Sequence, residues 1–334
     1  MRIIEGENID SGLWSELVKQ SPVATWFQTR EAYSFFDGLS FLEAFAYAVE
    51  SDGRLKGVVV GYIQKDGGRL KQFFSRRAII LGGPLLADDI SNEELAALLA
   101  ALKSKLRKNA IYIETRNFND YSRWRETFEK CGFEYEPHLD FHVDCSSLET
   151  IWNNLKENRR RQIKKAQKED VVLEEASCED DVLIFYSILK DLYFNKVRKP
   201  LFPVEFFVSF YKNKYGKYLL VKRDATVIGG IMCPILDNRC LYEWFICGMD
   251  ADFKGLYPSV MATWAAMDYA NKNNIKRFDF MGAGRPGDGG YGVRDFKAKF
   301  GGDLVEFGRF HFVCMKQLYA IGKMGMKFLQ TKKK

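Results

Sequence analysis

Histidine is scarce in this 334-residue chain, with only His138, His142 and His311 present. Cysteine is more frequent but unorganised. Cys131, Cys145, Cys178, Cys233, Cys240, Cys247 and Cys314 form no C-x-x-C pair and no regular spacing. This excludes a disulfide framework and a zinc-finger pattern, and scattered thiols in apolar stretches fit a reducing compartment. The segment "HLDFH" sets His138 and His142 four apart, on one face of a strand, with no third ligand in view. No metal is therefore expected. No uncharged run reaches 18 residues, and "MRIIEGENIDSG" carries acids where a signal peptide needs an apolar core. A cytoplasmic protein without a membrane span is the expectation.

Hydrophobic residues make up 47% of the chain and aromatics 15%, enough for a sizeable core and against global disorder. The net charge is +6, and the basic residues gather in 156–168 and in the C-terminal tail, 323–334. Such runs suit polyanions or an anionic membrane surface. A solvated helix face and a frayed tail account for them equally well.

The order of elements is the more informative feature. Ala44–Glu50 and Gly57–Gln64 are β-rich runs, bracketed by Asp52-Gly53 and Asp66-Gly67 turn signals. "SNEELAALLAALKSKLRKN" is an amphipathic helix with a Ser91/Glu94 capping box and Leu95, Leu98, Leu99 and Leu102 on one face. A strand, a helix ending at Gly132 and a further strand follow. The second half repeats the order: three strands in 217–248, a helix from Tyr257, the strand "IKRFDFMG", a glycine-rich loop, and a strand region "GDLVEFGRFHFVCMK". Two copies of one α+β unit with mixed sheets are expected.

Gly282, Gly284 and Gly287 form a G-x-G-x-x-G after a strand, the outline of a dinucleotide fingerprint. Such a fingerprint must turn directly into a helix. Pro286 and "GDGGYG" oppose that here, and no β-α-β remainder follows. The glycines therefore serve backbone geometry.

Five segments in order resemble the FemAB family of peptidoglycan-bridge aminoacyltransferases: "WFQTREAYSFF", "IILGGPLL", "CGFEYEPHLDFHVD", the basic stretch "LKENRRRQIKKAQKEDVVLEEA", and "FDFMG…FKAKFGGDLVEFG". The resemblance implies two tandem acetyltransferase-like (GNAT) domains, here 1–146 and 147–334, the second ending in the basic tail. It also implies transfer of an amino acid from aminoacyl-tRNA to an amine of a lipid-linked or nucleotide-linked peptidoglycan precursor, with no resident cofactor. Such chemistry needs a neutral amine, oxyanion stabilisation and a proton for the ribose oxygen.

In this resemblance Lys297, within the Phe-Lys-x-x-Phe-Gly motif, binds the tRNA end and stabilises charge, with Phe296 beside it. Lys299, two residues on, shares its face if the segment is a strand. Arg198 corresponds to an arginine gripping precursor phosphates, although the family's tyrosine four residues later is Phe202 here. Tyr242 corresponds to a substrate-contacting tyrosine, or is plain strand packing. Lys254 and Arg294 complete the candidate substrate-binding set. The family's phosphate-binding lysine falls near Phe36, so Lys71, Arg76 or Arg77 would substitute, or the acceptor differs. The basic tail could hold the chain at an anionic membrane. An acyl-CoA-dependent N-acyltransferase is the alternative. It needs pyrophosphate-binding amides in "DADFKGLYPS", which keeps Gly255 but has Tyr257 and Pro258 where a second glycine would help. A scaffold that only binds precursor or RNA is the non-enzymatic reading.

Overall fold

The computed structural model describes residues 1–64, 75–288 and 292–322. Its strands are β1 (Arg2–Glu5), β2 (Leu42–Ser51), β3 (Arg54–Gln64), β4 (Arg77–Gly82), β5 (Leu85–Leu86), β6 (Tyr112–Asn117), β7 (Glu134–Glu136), β8 (Leu139–Asp144), β9 (Val172–Glu175), β10 (Gly216–Arg223), β11 (Thr226–Leu236), β12 (Cys240–Tyr242), β13 (Phe245–Gly248), β14 (Arg277–Asp279), β15 (Asp303–Glu306) and β16 (Arg309–Val313). The α-helices are α1 (Ser11–Gln20), α2 (Arg30–Asp37), α3 (Asn92–Leu106), α4 (Arg125–Lys130), α5 (Leu148–Asn154), α6 (Glu157–Lys168), α7 (Glu179–Leu192), α8 (Val204–Lys212), α9 (Pro258–Lys272) and α10 (Gly292–Ala298). The Asp66-Gly67 turn signal, Lys71 and the basic tail lie outside the described residues.

Local signals explain most of these elements. Asp52 and Gly53 both take positive φ, so the β2–β3 hairpin closes on a tight turn. Ser91 caps α3 by accepting from the Glu94 N–H, and the Glu94 carboxylate accepts from the Ser91 N–H. The four leucines of α3 are fully buried and pack on Val49, Val59, Ile80 and Ile113 of the first sheet. In the second half, Met261, Ala262, Ala265 and Ala266 of α9 meet Ile228, Ile231 and Phe278, while Ile163 and Ala166 of α6 join the same core.

The chain divides into one unit of residues 1–137 and 307–334 and another of residues 138–306. The first sheet runs β1-β2-β3-β4-β6-β16-β7, with β5 on β3. The second runs β9-β10-β11-β12-β14-β8-β15, with β13 on β11. Each contains one parallel pair, β4/β6 and β12/β14, between otherwise antiparallel neighbours. The two orders superimpose position for position. The sixth strand is exchanged in each: β8, directly after β7, pairs in the second sheet, and β16, directly after β15, pairs in the first.

The α+β expectation and the internal repeat therefore hold, but the cut at 146/147 does not coincide with these units. The boundary falls before His138, and the chain crosses back after Glu306. "GDLVEFGRFHFVCMK" is two strands in two sheets, not one region. Gly308, at φ +62, makes the corner between them.

Candidate active site in the second unit

The expected single strand through "CLYEWFICG" is broken. β12 pairs with β14 as far as Tyr242–Asp279, and the Glu243 N–H donates to the Asp279 carbonyl at 2.9 Å. The Trp244 N–H instead donates to Met232, and β13 continues along β11 alone. The Phe280 N–H donates to the Phe141 carbonyl of β8. The two parallel neighbours thus separate after Glu243 and leave a wedge between them.

Lys297 fills that wedge. Its ammonium donates to the Phe280 carbonyl at 2.7 Å and the Gly282 carbonyl at 2.9 Å, and lies 2.9 Å from Glu243 Oε1. The residue is only 7% exposed, and its three N–H bonds match these three acceptors. The segment is a helix, not a strand, and Lys299, in the turn just past its end, is exposed. Burial raises the Glu243 carboxyl above its usual value, against the opposing pull of Lys297. Glu243 Oε2 is buried and accepts no hydrogen bond from the described residues.

The parallel pair of the first unit opens in the same way, after Gly82, and is closed differently. There the Gln28 amide donates to the Gly82 and Gly83 carbonyls at 3.1 and 2.9 Å. The Tyr121 hydroxyl lies 2.9 and 2.6 Å from the Gly82 and Pro84 carbonyls. Gln28 is 1% exposed, and burial drives the Tyr121 phenol far above its ordinary pKa. A neutral plug thus seals one wedge and an ammonium–carboxylate pair the other. The motif residues Gln28, Gly82 and Gly83 are accounted for as structure.

Around the charged wedge stand Asp140, His142 and Asp279. His142 and Asp279 are register partners, and His142 Nε2 lies 3.1 Å from Asp279 Oδ2. Asp140 and His142 share a face of β8 and Asp279 of β14 joins them, whereas His138, the other histidine of "HLDFH", is not part of this group. The donor atoms of the three lie within 4.8 Å of one another, close enough for a cation. Asp140 accepts from the Phe141 N–H and Asp279 from the Met281 N–H. Burial, then the charge of Asp279, pushes the Asp140 carboxyl well above its usual range. Burial also works to raise Asp279, but His142, Arg277 and the Met281 N–H outweigh it and leave this carboxyl low.

The basic helix α6 positions the lysine. The Arg159 guanidinium lies 4.4 and 4.6 Å from the Phe296 and Phe300 ring centroids and donates to the Phe296 carbonyl at 3.1 Å. Burial lowers this arginine to about 10. The Lys156 N–H donates to the Lys299 carbonyl. Gly301, at φ +82, lets the chain pass against α5, where a Cβ would come within 2.5 Å of the Asn154 carbonyl oxygen. Glu243, Asp140, Asp279 and Arg159 were not among the sequence candidates. The basic run signalled Arg159, whereas the carboxyls meet only through sheet pairing.

The other candidates lie as follows. Phe296 is half-buried and packs on Phe300. Arg294 donates to the Ala283, Arg285 and Asp288 carbonyls, so it clamps the glycine-rich loop and is not a free substrate ligand. Through Asp288 that loop has not turned into a helix, unlike a dinucleotide fingerprint. Tyr242 is 0% exposed, the packing alternative to substrate contact. Arg198 is exposed, in a left-handed conformation. Lys254 is exposed in the turn before α9. At that helix start the Ser259 N–H and hydroxyl both donate to the Asp250 carboxylate. Phe36 is buried in α2, and Arg76 and Arg77 lie half-buried where β4 begins.

Residues 224–327 match the model of the FemAB family. No curated protein sequence matches the chain. Among solved structures, FemX superimposes with a TM-score of 0.73 at 15% identity, covering 96% of this chain and 99% of that one. A tandem GNAT protein from the clavulanic acid biosynthesis pathway gives 0.61 at 11%, covering 94% and 99%. L-PGS from Bacillus licheniformis gives 0.57 at 11%, covering 96% and 97%. The tandem GNAT fold and the resemblance to the FemAB family are thereby borne out.

Proposed function

We propose that this chain, a FemAB-type acyltransferase of tandem GNAT fold, moves an amino acid from aminoacyl-tRNA to an amine of a peptidoglycan precursor, at the charged wedge of its second unit. The observation that carries the reading is the buried Lys297–Glu243 pair, which stands where β12 and β14 part and inside the segment matched to the family.

The amine nitrogen attacks the ester carbonyl and a C–N bond forms. The bond to the ribose oxygen then breaks, the amine loses a proton and the ribose oxygen gains one. Lys297 supplies the positive charge that a developing oxyanion requires. Its N–H groups are all engaged, so it reaches a substrate oxygen by exchanging one carbonyl. The Gly282 carbonyl belongs to the glycine-rich loop and is the partner whose backbone can turn away. Glu243, raised by burial and with Oε2 unengaged, accepts the amine proton. Arg159 holds α10, and with it Lys297, in place.

The acyl-CoA alternative finds less support, because Asp250 already occupies the α9 start where a pyrophosphate would bind. The test is incubation with charged tRNAs and with lipid-linked or nucleotide-linked precursor, read by mass spectrometry. The precursor should gain the mass of an amino acid residue. Transfer from acetyl-CoA with none from any charged tRNA would overturn the reading.

A further inference from the structure

The segment Leu192–Val204, "LYFNKVRKPLFPV", contains three cations and no acidic residue. It follows α7 as a single π-turn, Tyr193–Val197, and reverses at Arg198, whose N–H donates to the Tyr193 carbonyl at 2.7 Å. Both ends of the turn are anchored. Tyr193 lies against Phe245, and Phe202 stacks on Phe206 at 4.3 Å and meets the Phe245 ring edge. The tip is the opposite. Phe194 is 82% exposed and Val197 is 37% exposed, beside exposed Lys196, Arg198 and Lys199.

A large aromatic ring held in water on a rigid base is unfavourable by itself. Next to Lys196, Arg198 and Lys199, which form no ion pair among the described residues, it has a natural counterpart. The ring enters the apolar boundary of a bilayer while the cations stay among anionic head groups. We propose that the Tyr193–Lys199 turn docks the protein on an anionic lipid surface, with Phe194 as the inserted residue. The charge selects the partner: three cations without an acid favour anionic lipid over a neutral bilayer. Docking does not depend on which acyl group the chain moves. It would bring Arg198 to the level at which a lipid-linked acceptor presents its phosphates.

The experiment is flotation of the full chain with vesicles of phosphatidylcholine alone and of an equimolar mixture with phosphatidylglycerol. The wild type should float with the anionic vesicles only. Phe194→Ser should weaken partitioning about tenfold and Lys199→Gln about fivefold, roughly the worth of one buried aromatic edge or one head-group cation. Both sites are exposed, and unchanged thermal unfolding would confirm intact folding. The proposal is overturned if the wild type fails to float with anionic vesicles, or if both variants float as well as it does. Release by inorganic pyrophosphate, at an ionic strength where chloride releases nothing, would also overturn it by assigning the turn to soluble phosphates.

Discussion

Lys297 and Glu243 are each almost wholly out of water, so neither is stable there without the other. Replacing Lys297 alone by Met would leave Glu243 buried and unpaired, at a cost of about 3–5 kcal/mol, whereas Lys297→Met with Glu243→Gln removes both charges together. The double variant should recover most of the stability that the single one loses, as urea unfolding would show. Asp140 makes a separate prediction. Its carboxyl is held well above the ordinary aspartate value, first by burial and then by the charge of Asp279. The folded protein therefore binds more protons than the unfolded chain above pH 4. The stability this contributes is complete below that pH and is lost as the pH rises towards the folded value. Asp140→Asn imitates the neutral carboxyl and should flatten this decline as the pH rises above about 4. A variant with the wild-type slope would show that Asp140 is not the group responsible.

At the scale of elements, α10 is an anchored support. It is held by Arg159 of α6 and terminated by Gly301 against α5. Gly301→Ala imposes a left-handed alanine and a clash with the Asn154 carbonyl, and should cost about 1–3 kcal/mol in thermal or chemical unfolding. Arg159→Leu keeps bulk over Phe296 but loses the bond to its carbonyl. It should lower the transfer rate more than it lowers stability. These elements also show what could be read from the chain. The β2–β3 hairpin, α3 with its capping box and α9 were legible because periodicity and caps are local signals. The break at Glu243–Trp244 was not, because Glu243 and Trp244 sit in an apolar run and separate from β14 for non-local reasons. Lys297 was legible as a candidate through its motif. Its partners Glu243, Phe280 and Gly282 were not, since they lie 15 to 54 positions away in the sequence.

For the whole molecule, the exchanged sixth strands mean that the first unit is completed by a segment, from residue 307 onward, that follows the second unit in sequence. β16 carries Phe310, whose ring stacks on Phe128 at 3.9 Å, and Arg309, which pairs with Glu114 at 3.3 Å. Phe310→Ala should cost about 3–5 kcal/mol, and a chain ending at Glu306 should fail to form a stable first unit, seen as loss of its cooperative unfolding transition. The tandem repeat also gives one fold two wedges of different chemistry, sealed by an amide and a phenol in one and charged in the other. The charged wedge is where we propose that aminoacyl transfer takes place. The measurement that bears on it most directly is the single-turnover transfer rate from charged tRNA to precursor for the Lys297→Met/Glu243→Gln variant, beside Lys299→Met. The double variant should stay folded and lose transfer by at least about a hundredfold, while Lys299→Met stays near the wild-type rate. Transfer by the folded double variant at the wild-type rate would contradict the assignment.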